Sequence, residues 1–132
     1  MIASRLLRIA LLADAAATGA TAVLLLLFAA PFETLLGLPA GLSRIAGLGL
    51  IPYAALVAYL GTRPRMSRAA VWTVIVCNVA WAVDSILLLF IGPVQPASLG
   101  AAFVVAQAVI VAVFADLQYL GLRRPSALTA PA

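Results

Sequence analysis

Asp14, Thr18 and Thr21 stand at i, i+4 and i+7 within ALLADAAATGATAVLLLLFAAP, residues 10–31, so one carboxylate and two hydroxyls share a face of any helix this run forms. A carboxylate in so apolar a run can bind a proton, accept hydrogen bonds or pair with an arginine, and each role requires it to face protein or a wet cavity. A second polar set lies further along: Asn78, Trp81 and Ser85 share a helical face with Asp84 on its flank, and Gln107 shares a face with Gln118. Asp14, Thr18, Thr21, Asn78, Trp81, Asp84, Ser85 and Gln107 are therefore the candidate binding residues of the interior. Richer chemistry is hard to assemble. The chain has no His, and Cys77 is its single cysteine. That removes His-ligated haem, His-based metal sites, Ser-His-Asp catalysis and an intrachain disulfide. No catalytic residue, metal ligand or cofactor is assigned, and the chain is read as non-enzymatic. Cys77 sits in an apolar run and reads as a small hydrophobe.

The elements that must position these groups are apolar throughout. Of 132 residues 66% are hydrophobic and only 9% charged, against about a quarter charged in soluble domains, which indicates an integral membrane protein. Four apolar segments, 6–30, 45–61, 69–91 and 98–122, approach or exceed the roughly 20 residues that span a bilayer. The expected fold is an all-α, four-helix transmembrane bundle forming a single domain over residues 1–132. Seven of the eight prolines fall between or beyond the segments, and only Pro52 is interior, where it should kink or loosen the second helix. Short connections force antiparallel neighbours and leave no room for a soluble domain. Within the first connection, PFETLLGLP reads either as an ordinary loop or as one or two helical turns lying flat, with Phe32, Leu35 and Leu36 dipping into lipid. The start MIASRLLRIALLADA imitates a secretory signal, but the apolar run continues to Ala30, longer than a signal core, and is read as a permanent helix.

Charge then orients the bundle. All eight basic residues are Arg and the net charge is +4. Arg5, Arg8, Arg63, Arg65, Arg68, Arg123 and Arg124 fall on one side and Arg44 alone on the other, so both termini should be cytoplasmic. The arginines sit at segment ends rather than on a soluble face, which points to anionic lipid and away from nucleic acid. Asp14 and Asp116 lie near this cluster, and Arg5 or Arg8 is expected to reach inward to neutralise them. Arg44 is the only basic residue near Asp84 and must also serve Glu33, so Asp84 is the acid least assured of a partner. Asn78 and Gln107 each lie about 12 Å inside opposite ends of antiparallel helices and are expected to pair.

The chain also resembles itself. LLLLFAAP at 24–31 parallels ILLLFIGP at 86–93, and YLGTRPR at 59–65 parallels YLGLRRP at 119–125. Two readings stand side by side: a helical hairpin duplicated in parallel about an axis along the membrane normal, and tyrosines recurring in an interfacial belt. On LLGLP, the paired YLG ends and the R-P-R middle loop, the layout resembles small four-helix bacterial inner-membrane proteins of the DoxX type. That resemblance implies an inner-membrane bundle and transfers no catalytic residue. ADAAATGAT, with its carboxylate early in the first helix, also resembles small multidrug resistance exporters, although the strong charge bias departs from their nearly balanced charge. The expected function is a bundle whose interior holds a lipid-like or apolar molecule, or a partner membrane protein or second copy. The alternative is a proton-linked exporter of hydrophobic compounds.

Overall fold

A computed structural model describes residues 3–91 and 97–123. It is all-helical: α1 Arg5–Leu27, α2 Ala29–Leu36, α3 Ala40–Thr62, α4 Arg68–Ile91 and α5 Ser98–Arg123. The connection 92–96 and the tail 124–132, with Pro93, Pro96, Arg124, Pro125 and Pro131, lie outside the described residues. α1, α3, α4 and α5 are each long and apolar enough to cross a membrane.

Ser4 caps α1, its Oγ accepting from Leu7 N–H at 3.2 Å and thereby satisfying one of the amides a helix start leaves free. The expected first segment, 6–30, is divided in two. Phe28 leaves helical geometry at φ −116° and ψ 25°, and the chain restarts as α2, which closes on Gly37 in the left-handed region at φ 71°. The helical alternative for PFETLLGLP is thus the one adopted, but not as a segment with three residues turned outward. Leu36 is buried and Phe32 half-buried, packed with Leu38, Phe103 and Val104, and only Leu35 of the three is exposed. Ala97 N–H donates to Leu36 O at 3.0 Å, tying the end of α2 to the start of α5.

The helix expected at 45–61 begins earlier, at Ala40, because the chain supplies its own start. Glu33 Oε2 accepts from Ala40 N–H at 2.9 Å, placing a carboxylate at the positive end of α3. Glu33 therefore serves a helix terminus instead of sharing Arg44. Pro52 lies inside α3 and leaves the Leu48 carbonyl without its usual amide partner.

α1 is the central element. It packs against α3 on one side and α5 on the other, α4 packs on α5, and α3 and α4 scarcely meet. The order across the bundle is α3, α1, α5, α4. At the arginine-rich end, where α1 and α4 begin and α3 and α5 finish, Leu7, Leu11, Val57, Val71 and Ala115 form the main apolar core. Two glycines permit its closest approaches. A Cβ on Gly121 would stand 2.6 Å from Leu7 N and 2.7 Å from Leu7 Cα, and one on Gly61 would stand 2.8 Å from Leu12 Cδ2. Their carbonyls also accept from α1: Ser4 Oγ donates to Gly121 O at 2.7 Å and Arg8 Nη1 to Gly61 O at 2.6 Å.

These contacts give the repeated YLG a physical account. In Tyr59-Leu60-Gly61-Thr62-Arg63 and Tyr119-Leu120-Gly121-Leu122-Arg123 the glycine docks against α1, while the arginine one turn on lies over the tyrosine ring. The guanidinium carbon is 4.6 Å from the centroid for Arg63 on Tyr59 and 5.7 Å for Arg123 on Tyr119. The two segments dock on opposite flanks of one helix.

Most of the apolar side chains outside this core face outward. Leu27, Ile45, Phe90 and Ile91 are each more than 70% exposed, and exposed residues of this kind recur on all four long helices.

Candidate functional site

Asp14 is 1% exposed, and its surroundings explain why the chain tolerates it. Three side chains donate to its carboxylate: Gln118 Nε2 to Oδ2 at 2.7 Å, Asn78 Nδ2 to Oδ2 at 2.8 Å and Thr18 Oγ1 to Oδ1 at 3.0 Å. Asn78 uses its second amide hydrogen on Gln118 Oε1 at 3.0 Å, and its own Oδ1 accepts from the Tyr53 hydroxyl at 2.9 Å. One connected network thus draws a side chain from each of α1, α3, α4 and α5. Its buried members, Asp14, Asn78 and Gln118, are all at or below 3% exposure, and no buried side-chain nitrogen or oxygen among the described residues lacks a partner. Such closure matters because a half-satisfied buried network is worse than an apolar core.

Arg8, one of the two arginines expected to neutralise Asp14, is occupied elsewhere. Arg8 reaches the terminal carbonyl region of α3 at Gly61 O, and amides and a hydroxyl hold the carboxylate instead. A planar amide delivers its N–H without bringing a second desolvated charge into the interior, which avoids the cost of burying an ion pair.

The expected pairing of Asn78 with Gln107 is not made. Gln107 Oε1 accepts from Trp81 Nε1 at 2.7 Å and its Nε2 donates to Val104 O at 2.8 Å. Asn78 bonds Gln118 instead. The reason is register and side-chain direction. Helical side chains lean toward the N-terminus of their own helix, so Asn78 on α4 leans toward the arginine-rich end, where Gln118 on the antiparallel α5 leans back to meet it. Gln107 is level with Trp81, nearly a turn of α4 farther away.

Beyond the network, on the side away from the arginine-rich end, the helices border a half-open cavity of about 470 Å³. Thr18 and Thr21 line it from α1, Gly49 and Tyr53 from α3, Asn78 and Trp81 from α4, and Gln107 and Phe114 from α5. Tyr53 borders it, and its hydroxyl, which also lies 3.3 Å from Val74 O, bridges α3 and α4, two helices that otherwise scarcely meet. Cys77 lines the same space.

Of the candidates read from the sequence, Thr18, Thr21, Asn78, Trp81 and Gln107 border the cavity, and Asp14 lies behind Thr18 and Asn78. Ser85 does not line it; its hydroxyl donates to Trp81 O at 2.7 Å within α4. Asp84 is exposed on α4, outside the bundle interior, and Asp116 is exposed on α5. Sequence reasoning missed Tyr53 and undervalued Gln118. For Gln118 the signal was present, since it shares a helical face with Gln107 at the depth where Asp14 needs a donor. Tyr53 offered only its place beside Pro52, and its role arises from a contact 25 residues away in the chain.

Comparison with known proteins yields no match: no family model, no curated protein and no solved structure is significantly similar to this chain.

Proposed function

We propose that the chain is an integral protein of the bacterial inner membrane, with both termini cytoplasmic, and that its bundle holds an apolar or lipid-like molecule without chemically altering it. Four long apolar helices with outward-facing Leu, Ile, Val and Phe support the membrane assignment, because monomeric soluble proteins rarely present contiguous apolar surface on that scale. Arg5, Arg8, Arg63, Arg65, Arg68 and Arg123 cluster at one end of the bundle and Arg44 lies at the other, which supports the orientation.

The observation that carries the binding reading is the cavity. Its volume of about 470 Å³ is in the range of small-molecule sites, its wall is mainly apolar, and a few polar groups converge on it from four helices. The exporter reading requires a carboxylate that meets solvent or substrate. Asp14 is closed off by three donors and anchors the cavity floor, and Asp84, the other carboxylate that reading could use, is exposed on α4 but does not line the cavity.

Gly49 allows a direct test. It lines the cavity, and a Cβ built on it meets nothing within 4 Å, so Gly49→Leu is chosen to project side-chain bulk into the space from a backbone position with room for it. Native mass spectrometry of protein extracted in lipid discs should show a retained molecule on the natural chain and none on Gly49→Leu, with the thermal midpoint preserved. An empty natural chain, or equal retention by the filled variant, would overturn the reading.

A further inference from the structure

We infer that the molecule held in the cavity is an uncharged single-chain amphiphile whose polar end donates hydrogen bonds, most simply a hydroxyl; this rests on the cavity being a ligand site. The polar side chains on the wall are already bonded in one direction only. Thr18 spends its hydroxyl proton on Asp14 Oδ1, Thr21 spends its proton on Ala17 O at 2.8 Å, and Tyr53 spends its proton on Asn78 Oδ1. Each of these three oxygens keeps lone pairs and has no proton left to offer. The donors are otherwise committed. Asn78 Nδ2 uses both hydrogens within the network, Trp81 Nε1 serves Gln107, and Gln107 Nε2 retains one N–H after serving Val104 O.

The wall therefore presents three hydroxyl oxygens that can only accept and, beside the weakly donating Cys77 thiol, a single spare N–H donor. A hydroxyl matches both kinds, since it donates one bond and accepts others. An ether matches only the Gln107 amide. A carboxylate or phosphate meets hydroxyl lone pairs with the Asp14 carboxylate behind Thr18, and no arginine lines the space. The apolar remainder, including Ile45, Leu50, Ile110 and Phe114, accommodates the chain.

Trp81 provides the readout. In a Trp72→Phe variant it is the only tryptophan, and it lines the cavity. The protein in phosphatidylcholine nanodiscs is titrated with three chain-matched quenchers: ω-bromoundecanol, its methyl ether and ω-bromoundecanoate. Dissolution in lipid quenches in proportion to concentration, whereas occupation of the cavity saturates. The alcohol should saturate at a concentration about fivefold lower than the ether, the worth of one hydrogen bond, and the carboxylate should show no saturable component. Thr21→Val, which removes a hydroxyl bonded only within its own helix, should weaken the alcohol by a similar factor and leave the ether unchanged. Equal binding of all three, tightest binding of the carboxylate, or an alcohol affinity indifferent to both Thr21→Val and Tyr53→Phe would overturn the donor assignment while leaving an apolar site intact. Failure of every probe to saturate would remove the site itself.

Discussion

Replacing Asp14 by Leu and by Asn separates the two properties of its carboxylate, acceptor geometry and charge. In Asp14→Leu, the N–H groups of Asn78 and Gln118 that met Oδ2 at 2.8 and 2.7 Å have no partner, and both residues are at most 3% exposed. An orphaned buried donor costs about 1–3 kcal/mol in soluble proteins, but membrane helices recover part of this, and measured interhelical bonds average about 0.6 with a maximum near 1.7 kcal/mol. The sealed position leaves these two amides little to recover, so the upper membrane value applies to each and the expected loss is about 3 kcal/mol. Thr18 adds little, because its half-exposed hydroxyl can turn to the cavity. In Asp14→Asn the remaining oxygen can serve both amides, and the new NH₂ faces Thr18 Oγ1, which can accept. Weaker bonds to a neutral acceptor are offset by a smaller desolvation cost, giving a net loss below about 1 kcal/mol. Reversible unfolding in bicelles, followed by denaturant titration, measures both. If Asn proves as damaging as Leu, charge rather than acceptor geometry holds the network; if Leu costs nothing, the network does not stabilise the bundle.

Two further substitution sets probe what positions this network. Gly121→Ala should destabilise by about 1–3 kcal/mol, since its Cβ would meet the Leu7 backbone, while Gly49→Ala, open on the cavity, should gain up to about 1 kcal/mol of helix propensity; thermal unfolding of the pair checks the contrast. A double-mutant cycle with Leu should show coupling of roughly 0.5 kcal/mol or more between Asn78 and Gln118, and additivity between Asn78 and Gln107, so coupling in the second pair would contradict the register of α4 on α5.

Composition and periodicity are local properties, and what they determine was legible in the chain. The long apolar helices follow from the apolar runs, although α1 ends with its C-cap at Phe28 and Pro31, expected to close the first run, lies within α2, and the shared face of Asp14, Thr18 and Thr21 follows from helical spacing. The clustering of arginines at one end follows from alternation of helix direction. Tertiary structure decided which groups meet. Gln118 rather than Gln107 reaches Asn78, and amides rather than Arg8 reach Asp14, because the close approach of Gly121 to Leu7 sets α5 against α1. Glu33 starts α3 through a side-chain hydrogen bond and Phe28 divides the first apolar run through its backbone geometry, neither of which hydrophobicity encodes. The cavity is the least local feature of all. It depends on α1 and α5 lying between α3 and α4, so that two helices joined by a short connection scarcely meet and are bridged by the Tyr53 hydroxyl. No stretch of sequence records that order, because it is selected by contacts between residues scattered from Ser4 to Gly121 whose energies are felt only when all four helices are in place.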